Sequence, residues 1–115
     1  MFTALAELTA ALLDHGVRDN PIRVGSALIG ASRGTVDLSS WLEQLAFGVL
    51  KPTVSIPGDT SAMENLETRL AANGITVDVR KVASAVTAIA GHHDWLTNPA
   101  RMLDWLHQLA VDVMA

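Results

Sequence analysis

The sequence predicts a mostly α-helical fold, a compact bundle of five or six short helices, and three observations carry this prediction. Apolar residues recur at helical spacing in several segments of the chain. Serine, asparagine, proline and glycine stand where such segments begin and end. The chain has 115 residues, which is the size of one domain that buries its own core. We therefore treat residues 1–115 as a single helical domain.

Two helices are predicted in the first third of the chain. Leucines recur every three or four residues and are followed by Gly16, so we expect a helix over residues 3–15. Asn20-Pro21 combines a favourable N-cap with a residue suited to the first helical turn, which predicts a second helix over residues 21–31. The small residues of this second segment allow another backbone to approach closely.

A third helix is expected near residues 36–50, where apolar side chains including Trp41 form one stripe. Lys51-Pro52 ends this segment. Residues 52–60 contain two prolines and a glycine, which is typical of a loop. The loop divides the chain into two halves that are each too small to fold well alone.

Three further helices are expected in the second half. One opens at Ser61, where serine and glutamate have capping-box spacing, and ends before Gly74, which is suited to a left-handed stop. Another covers residues 79–90, where apolar side chains continue at helical spacing. The last begins at Pro99, after an asparagine that can cap it.

Residues 52–79 leave one alternative open. Residues 75–79 alternate strictly between apolar and polar side chains, as a half-buried strand does. If residues 52–56 also form a strand, the two flank the fourth helix as a small βαβ unit, and the fold class becomes α+β. An isolated pair of parallel strands is poorly supported, so we favour helices throughout.

Composition disfavours several classes of function. Twelve acidic and eight scattered basic residues give a net charge of −4, which disfavours non-specific binding of phosphate backbones. Cysteine is absent, which removes thiol chemistry and favours a cytoplasmic location. We find no apolar run long enough to span a bilayer and no pattern of a secretory signal. With 50% apolar and 17% charged residues, we expect exposed apolar surface that another polypeptide covers.

The motif GASRG at residues 30–34 has more than one interpretation. Its spacing matches the nucleophile elbow of serine hydrolases, in which glycines leave room around a serine at a strand-to-helix turn. That fold also needs a parallel sheet, which the weak strand signals here do not supply. Ser32 is therefore only a weak candidate nucleophile, and we favour a plain link between two helices.

Residues 21–46 resemble the helix-turn-helix motif of many bacterial regulators. The residues that carry the resemblance are Gly30, Ser32, Arg33, Gly34, Thr35 and Val36. It implies a DNA-binding protein whose second helix enters the major groove. The DNA contacts implied in that case come from Arg33, Thr35, Ser39 and Ser40. No wider family resemblance accompanies this motif.

Two groups of polar residues are weak candidates for chemistry. His92, His93 and Asp94 are of types that bind zinc or iron, but adjacent residues do not share one helix face as ligands four apart do. Asp104 and His107 are the closest acid–base pair, and at three residues apart they are typical of a surface hydrogen bond. We therefore expect no metal, no cofactor and no catalytic site.

The tryptophans supply the favoured site. Trp41 lies in an apolar stripe and is expected in the core. Trp105 lies at the edge of the buried stripe of the last helix, and Trp95 precedes that helix. Tryptophan and arginine are enriched where interfaces are anchored. We therefore expect a partner-binding patch formed by Trp95, Arg101, Trp105 and Asp112.

These observations favour a non-catalytic helical protein-interaction module that self-associates or binds a partner protein through an apolar face containing tryptophan. Small accessory proteins of bacteria and phages are often of this size and mildly acidic, which is an analogy of class. A helix-turn-helix DNA-binding protein is the first alternative. A small hydrolase or metal-dependent enzyme is the second.

Overall fold

The computed structural model describes residues 3–33, 40–45, 61–95 and 97–114, and nearly all of them are helical. The helices are α1 (Thr3–Asp14), α2 (Pro21–Arg33), α3 (residues 40–45 in the described part), α4 (Ser61–Ala72), α5 (Val79–His93) and α6 (Pro99–Met114). None of the described residues lies in a strand. The prediction of a mostly α-helical bundle is confirmed.

Glycine ends α1 and α4 as the sequence predicts. Gly16 and Gly74 both adopt φ +78°, a left-handed conformation that suits glycine because it has no Cβ. The residues that follow, Val17 and Ile75, donate their backbone N–H groups to carbonyls of the last helical turn at 2.8 and 2.9 Å. Both side chains are buried, so each stop also directs an apolar residue into the core.

The interpretation of residues 75–79 as a strand is wrong. These residues form the connection to α5 and its first turn. Asp78 caps this helix, because its side chain accepts the backbone N–H of Arg80 at 3.0 Å. The apolar members of the alternation, such as Ile75, pack against the core from an irregular segment. Residues 52–56, the other expected strand, lie outside the described residues.

One apolar cluster, formed by side chains from all six helices, makes the core. α1 packs against α5 and α6, and α2 packs against α4 and α6. Gly25 allows the close approach of α2 and α6, since a Cβ added there would lie 3.1 Å from Val113 Cγ2. α6 therefore packs mainly on α1 and α2, with its opposite side towards solvent. No described helix is both long and apolar enough to cross a bilayer.

Candidate functional site

Glu7 of α1 joins three helices through one carboxylate. Its oxygens lie 2.7 and 2.9 Å from His93 Nε2, at the end of α5. Trp105 Nε1 of α6 donates to Glu7 Oε1 at 2.7 Å. The His93 and Glu7 side chains are 36% and 29% exposed, so the cluster lies at the edge of the core. Sequence reasoning missed Glu7, because its two partners are 86 and 98 residues away.

Trp95 lies beneath this cluster and belongs to the core. Its ring stacks on His93 at a centroid distance of 6.0 Å and lies 5.2 Å from the ring of Trp105. Asp94 at φ +57° turns the chain at the end of α5, and Trp95 N–H bonds back to the Ala90 carbonyl at 3.0 Å. Only 1% of Trp95 is exposed, so it offers little surface for the partner contact that the sequence predicts.

Asp112, another expected member of the patch on α6, is also buried. It is 4% exposed, and its carboxylate accepts the backbone N–H of Leu5 at 3.1 Å and the Gln108 amide at 2.8 Å. Burial raises the pKa of this carboxyl. Hydrogen bonds from the Leu5 backbone, the Gln108 side chain and the Ala4 backbone together lower it by more, so the pKa lies below its ordinary value. Asp112 caps the start of α1 and leaves no surface for a partner.

Arg101 and Trp105 do line a surface. With His93, Trp95 and Asp104 they border a shallow hollow of about 400 Å³ that opens to solvent. Trp105 is half-buried and Arg101 is exposed. Within the part of the chain that the structure describes, Arg101 makes no ion pair. The expected patch is thus reduced to these two residues at the rim of the hollow.

The solvent side of α6 carries a row of exposed residues that is mainly apolar, with one histidine at its centre. Leu103, Val111 and Met114 are 45%, 63% and 86% exposed. Ala100 and His107 are exposed on the same face, because the five residues follow each other at intervals of three or four. We call these five residues the outer stripe. Sequence reasoning missed this stripe.

Ser32 does not have the surroundings of an elbow nucleophile. It lies in the last turn of α2, so a helix and not a strand precedes it. Its hydroxyl donates to the Ile29 carbonyl at 2.9 Å, and the residue is 6% exposed. The hydroxyl therefore has a role within its own helix.

The polar residues proposed as metal ligands or as an acid–base pair lie at helix ends and on open surface. His92 meets His93 edge to face at 5.1 Å, and Asp94 caps α5. The described residues contain no group of three or more His, Cys, Asp or Glu that fits a metal ion. Asp104 and His107 are both exposed on α6.

The residues implied by the helix-turn-helix resemblance are only partly described. Arg33 is exposed at the end of α2, and Ser40 is half-buried at the start of α3. Thr35 and Ser39 lie outside the described residues. Gln44 of α3 accepts the backbone N–H of Ala62 at 3.2 Å, so this helix also caps α4. In the described part of α3, the side chains of Trp41, Leu42 and Leu45 are buried in the core.

No family model matches this chain, and comparisons with curated proteins and with solved structures give no match either. Function must therefore be inferred from the chemistry of the chain itself. Two surfaces stand out: the outer stripe and the hollow beside Trp105. The outer stripe lies on α6, which also supplies three of the five residues that line the hollow.

Proposed function

We propose that this chain is a non-catalytic helical module that binds another polypeptide through the outer stripe of α6. One observation carries the proposal: Leu103, Val111 and Met114 are 45%, 63% and 86% exposed on one face of a helix whose opposite face is buried. Each Å² of apolar surface removed from water stabilises a complex by about 25 cal/mol before the costs of association. Apolar anchors at helical spacing are a common way for a helix to bind a partner.

The surroundings of the outer stripe support the same proposal. Arg101 and Asp104 are exposed along one edge of α6, where they would form a polar rim. The hollow beside Trp105 continues from this edge. Arginine and tryptophan are the residue types that most often dominate binding energy at interfaces. The rim thus adds specific contacts to the apolar area.

The other candidate groups have structural roles in the described part of the chain. Glu7 accepts hydrogen bonds from His93 Nε2 and Trp105 Nε1. Asp112 caps α1, and Ser32 bonds within α2. The outer stripe is different, because Leu103, Val111 and Met114 leave 45%, 63% and 86% of their surface exposed to water. Association is the physical role that an exposed apolar stripe supports.

The proposal is tested by sedimentation of a labelled chain. Because the chain has no cysteine, Thr68→Cys on the exposed side of α4 provides a single attachment point for a dye. Fluorescence-detected sedimentation is then measured in buffer that contains a large excess of concentrated unlabelled chain, and in a concentrated extract of cells that produce the protein. We expect the chain to sediment faster than a 12.2 kDa monomer in at least one of the two.

Two further variants assign the association to its surface. Val111→Asp places a charge on the outer stripe and is expected to sediment as a monomer in both media. Ala88→Asp is the matched control, because Ala88 is exposed on α5, and it is expected to behave like the parent chain. A parent chain that is monomeric in both media, or equal behaviour of the two variants, would contradict the proposal.

A further inference from the structure

We infer that the polypeptide bound by the outer stripe is a second copy of this chain, packed with its α6 antiparallel about a twofold axis at His107. This inference rests on the proposed function. The spacing of the outer stripe is the same from both ends. Leu103 and Val111 each lie four residues from His107, and Ala100 and Met114 each lie seven residues from it.

Antiparallel pairing in this register matches large residues with smaller ones. Leu103 of one copy lies opposite Val111 of the other, and Met114 lies opposite Ala100. Parallel pairing would instead bring both Met114 side chains together at one end and both Ala100 side chains together at the other. The helices would then be forced apart at one end and leave a gap at the other, which close packing disfavours.

Charge and symmetry favour the same arrangement. The outer stripe contains no carboxylate, lysine or arginine, so pairing buries no formal charge of these types. Arg101 and Asp104 remain at the edge, where water reaches them. Antiparallel helices also oppose their macrodipoles favourably. A twofold axis is the commonest symmetry of soluble oligomers, and it closes the assembly at two copies.

The size of the outer stripe limits the strength of the dimer. From Ala100 to Met114 the helix rises about 21 Å, at about 1.5 Å per residue. Two such stripes bury less surface than the roughly 1,200 to 2,000 Å² of standard interfaces. We therefore expect a dimer that dissociates in the micromolar range or above. The test must accordingly be run on concentrated protein.

Cysteine scanning tests the register directly, since the natural chain has no cysteine. His107→Cys places two thiols at the axis and is expected to form a disulfide dimer under mild oxidation. Leu103→Cys or Val111→Cys alone is expected not to, because equivalent positions in the two copies lie about 12 Å apart along the helix axis. A disulfide requires Cα atoms within about 7 Å. An equimolar mixture of these two variants is expected to form the mixed disulfide.

Ala88→Cys, exposed on α5, measures the rate of random collision. We expect His107→Cys and the mixture to cross-link at least about tenfold faster than this control, because pairing raises the effective concentration of the thiols. Rates equal to the control overturn the inference. So does cross-linking of Leu103→Cys alone as fast as the mixture, which indicates parallel pairing.

The two proposals fail in different ways. Association that occurs only in the cell extract, and that Val111→Asp abolishes, overturns the second copy as partner but leaves the proposed function intact. If Val111→Asp abolishes association in buffer but the expected disulfides do not form, only the antiparallel register about His107 is overturned. Association that Val111→Asp does not weaken overturns both.

Discussion

At the scale of single residues, two carboxylates connect the first and last helices in opposite directions. Glu7 on α1 accepts the indole N–H of Trp105, 98 residues later in the chain. Asp112 on α6 accepts the backbone N–H of Leu5, 107 residues earlier. Each acceptor satisfies a donor of the other helix, so α1 and α6 are held together by a reciprocal pair of hydrogen bonds.

Asp112 is expected to make stability depend on pH. Its pKa is lowered in the folded protein, so its contribution is complete above the pKa of the unfolded chain and is lost as pH falls through the folded value. Asp112→Asn keeps an oxygen acceptor for Leu5 but removes the charge. We expect this variant to be less stable than the parent at neutral pH, and the difference to shrink in acid.

Urea unfolding of both proteins, from neutral pH into the acid range, measures this difference. Asp112→Ala, which removes the acceptor entirely, is expected to lower the free energy of unfolding more than Asp112→Asn does. A difference between Asp112→Asn and the parent that stays constant with pH would contradict the assignment of the carboxylate as a charged cap.

Glu7→Ala is expected to lower the free energy of unfolding by about 1 kcal/mol, because it leaves the indole N–H of Trp105 without its acceptor at a partly exposed site. Glu7→Gln keeps an amide oxygen for that N–H and loses the charge beside His93. We expect it to lose less stability than Glu7→Ala in urea unfolding followed by circular dichroism. Equal losses in the free energy of unfolding for the two variants would show that stability does not depend on an oxygen acceptor for the Trp105 N–H.

At the scale of helices, the ends that could be predicted are those set by local chemistry. Gly16 and Gly74 adopt the expected left-handed stop, and Asn20 caps α2 by accepting the backbone N–H of Ile22 at 2.9 Å. The start of α5 was ambiguous in the sequence, because the strand-like alternation of residues 75–79 runs directly into the helical spacing that begins at residue 79. Asp78 decides it, since its cap satisfies an N–H of the first turn.

The candidate site could be predicted only in part, because its geometry depends on contacts between distant segments. The composition around Arg101 and Trp105 predicted that these residues lie at the surface, and both line the hollow beside α6. The burial of Trp95 depends on the left-handed turn at Asp94, which no helical wheel includes. The outer stripe was missed because apolar residues lie on both sides of α6, and the sequence does not show which side meets the core.

Two glycine-to-alanine substitutions test how closely α2 and α6 pack: Gly25 lies on α2 against α6, and Gly91 lies on α5 with open space around it. Gly91→Ala is expected to raise the free energy of unfolding by about 0.5 to 1 kcal/mol, since alanine favours helix and no atom lies within 4 Å of the new Cβ. Gly25→Ala gains the same propensity but brings its Cβ to 3.1 Å from Val113 Cγ2. Thermal unfolding should show less stabilisation for Gly25→Ala; equal gains would contradict close packing there.

At the scale of the whole molecule, charge distinguishes a protein partner from DNA. The net charge is −4, and the basic residues are scattered along the sequence. We expect no gel shift with mixed duplex DNA at physiological salt, because phosphate binding depends on clustered positive charge. A complex that weakens steeply with salt and is lost in Arg33→Ala would instead support the helix-turn-helix alternative.

The central claim is that the outer stripe of α6 is the surface through which this chain associates with a second copy of itself. Methyl NMR of the full chain over a dilution series tests it most directly, with Leu13 as an internal control because it is 58% exposed on α1. We predict that the methyl signals of Val111 and Met114 move with concentration while those of Leu13 stay in place. Unchanged signals from Val111 and Met114, or equal shifts at Leu13, would contradict the claim.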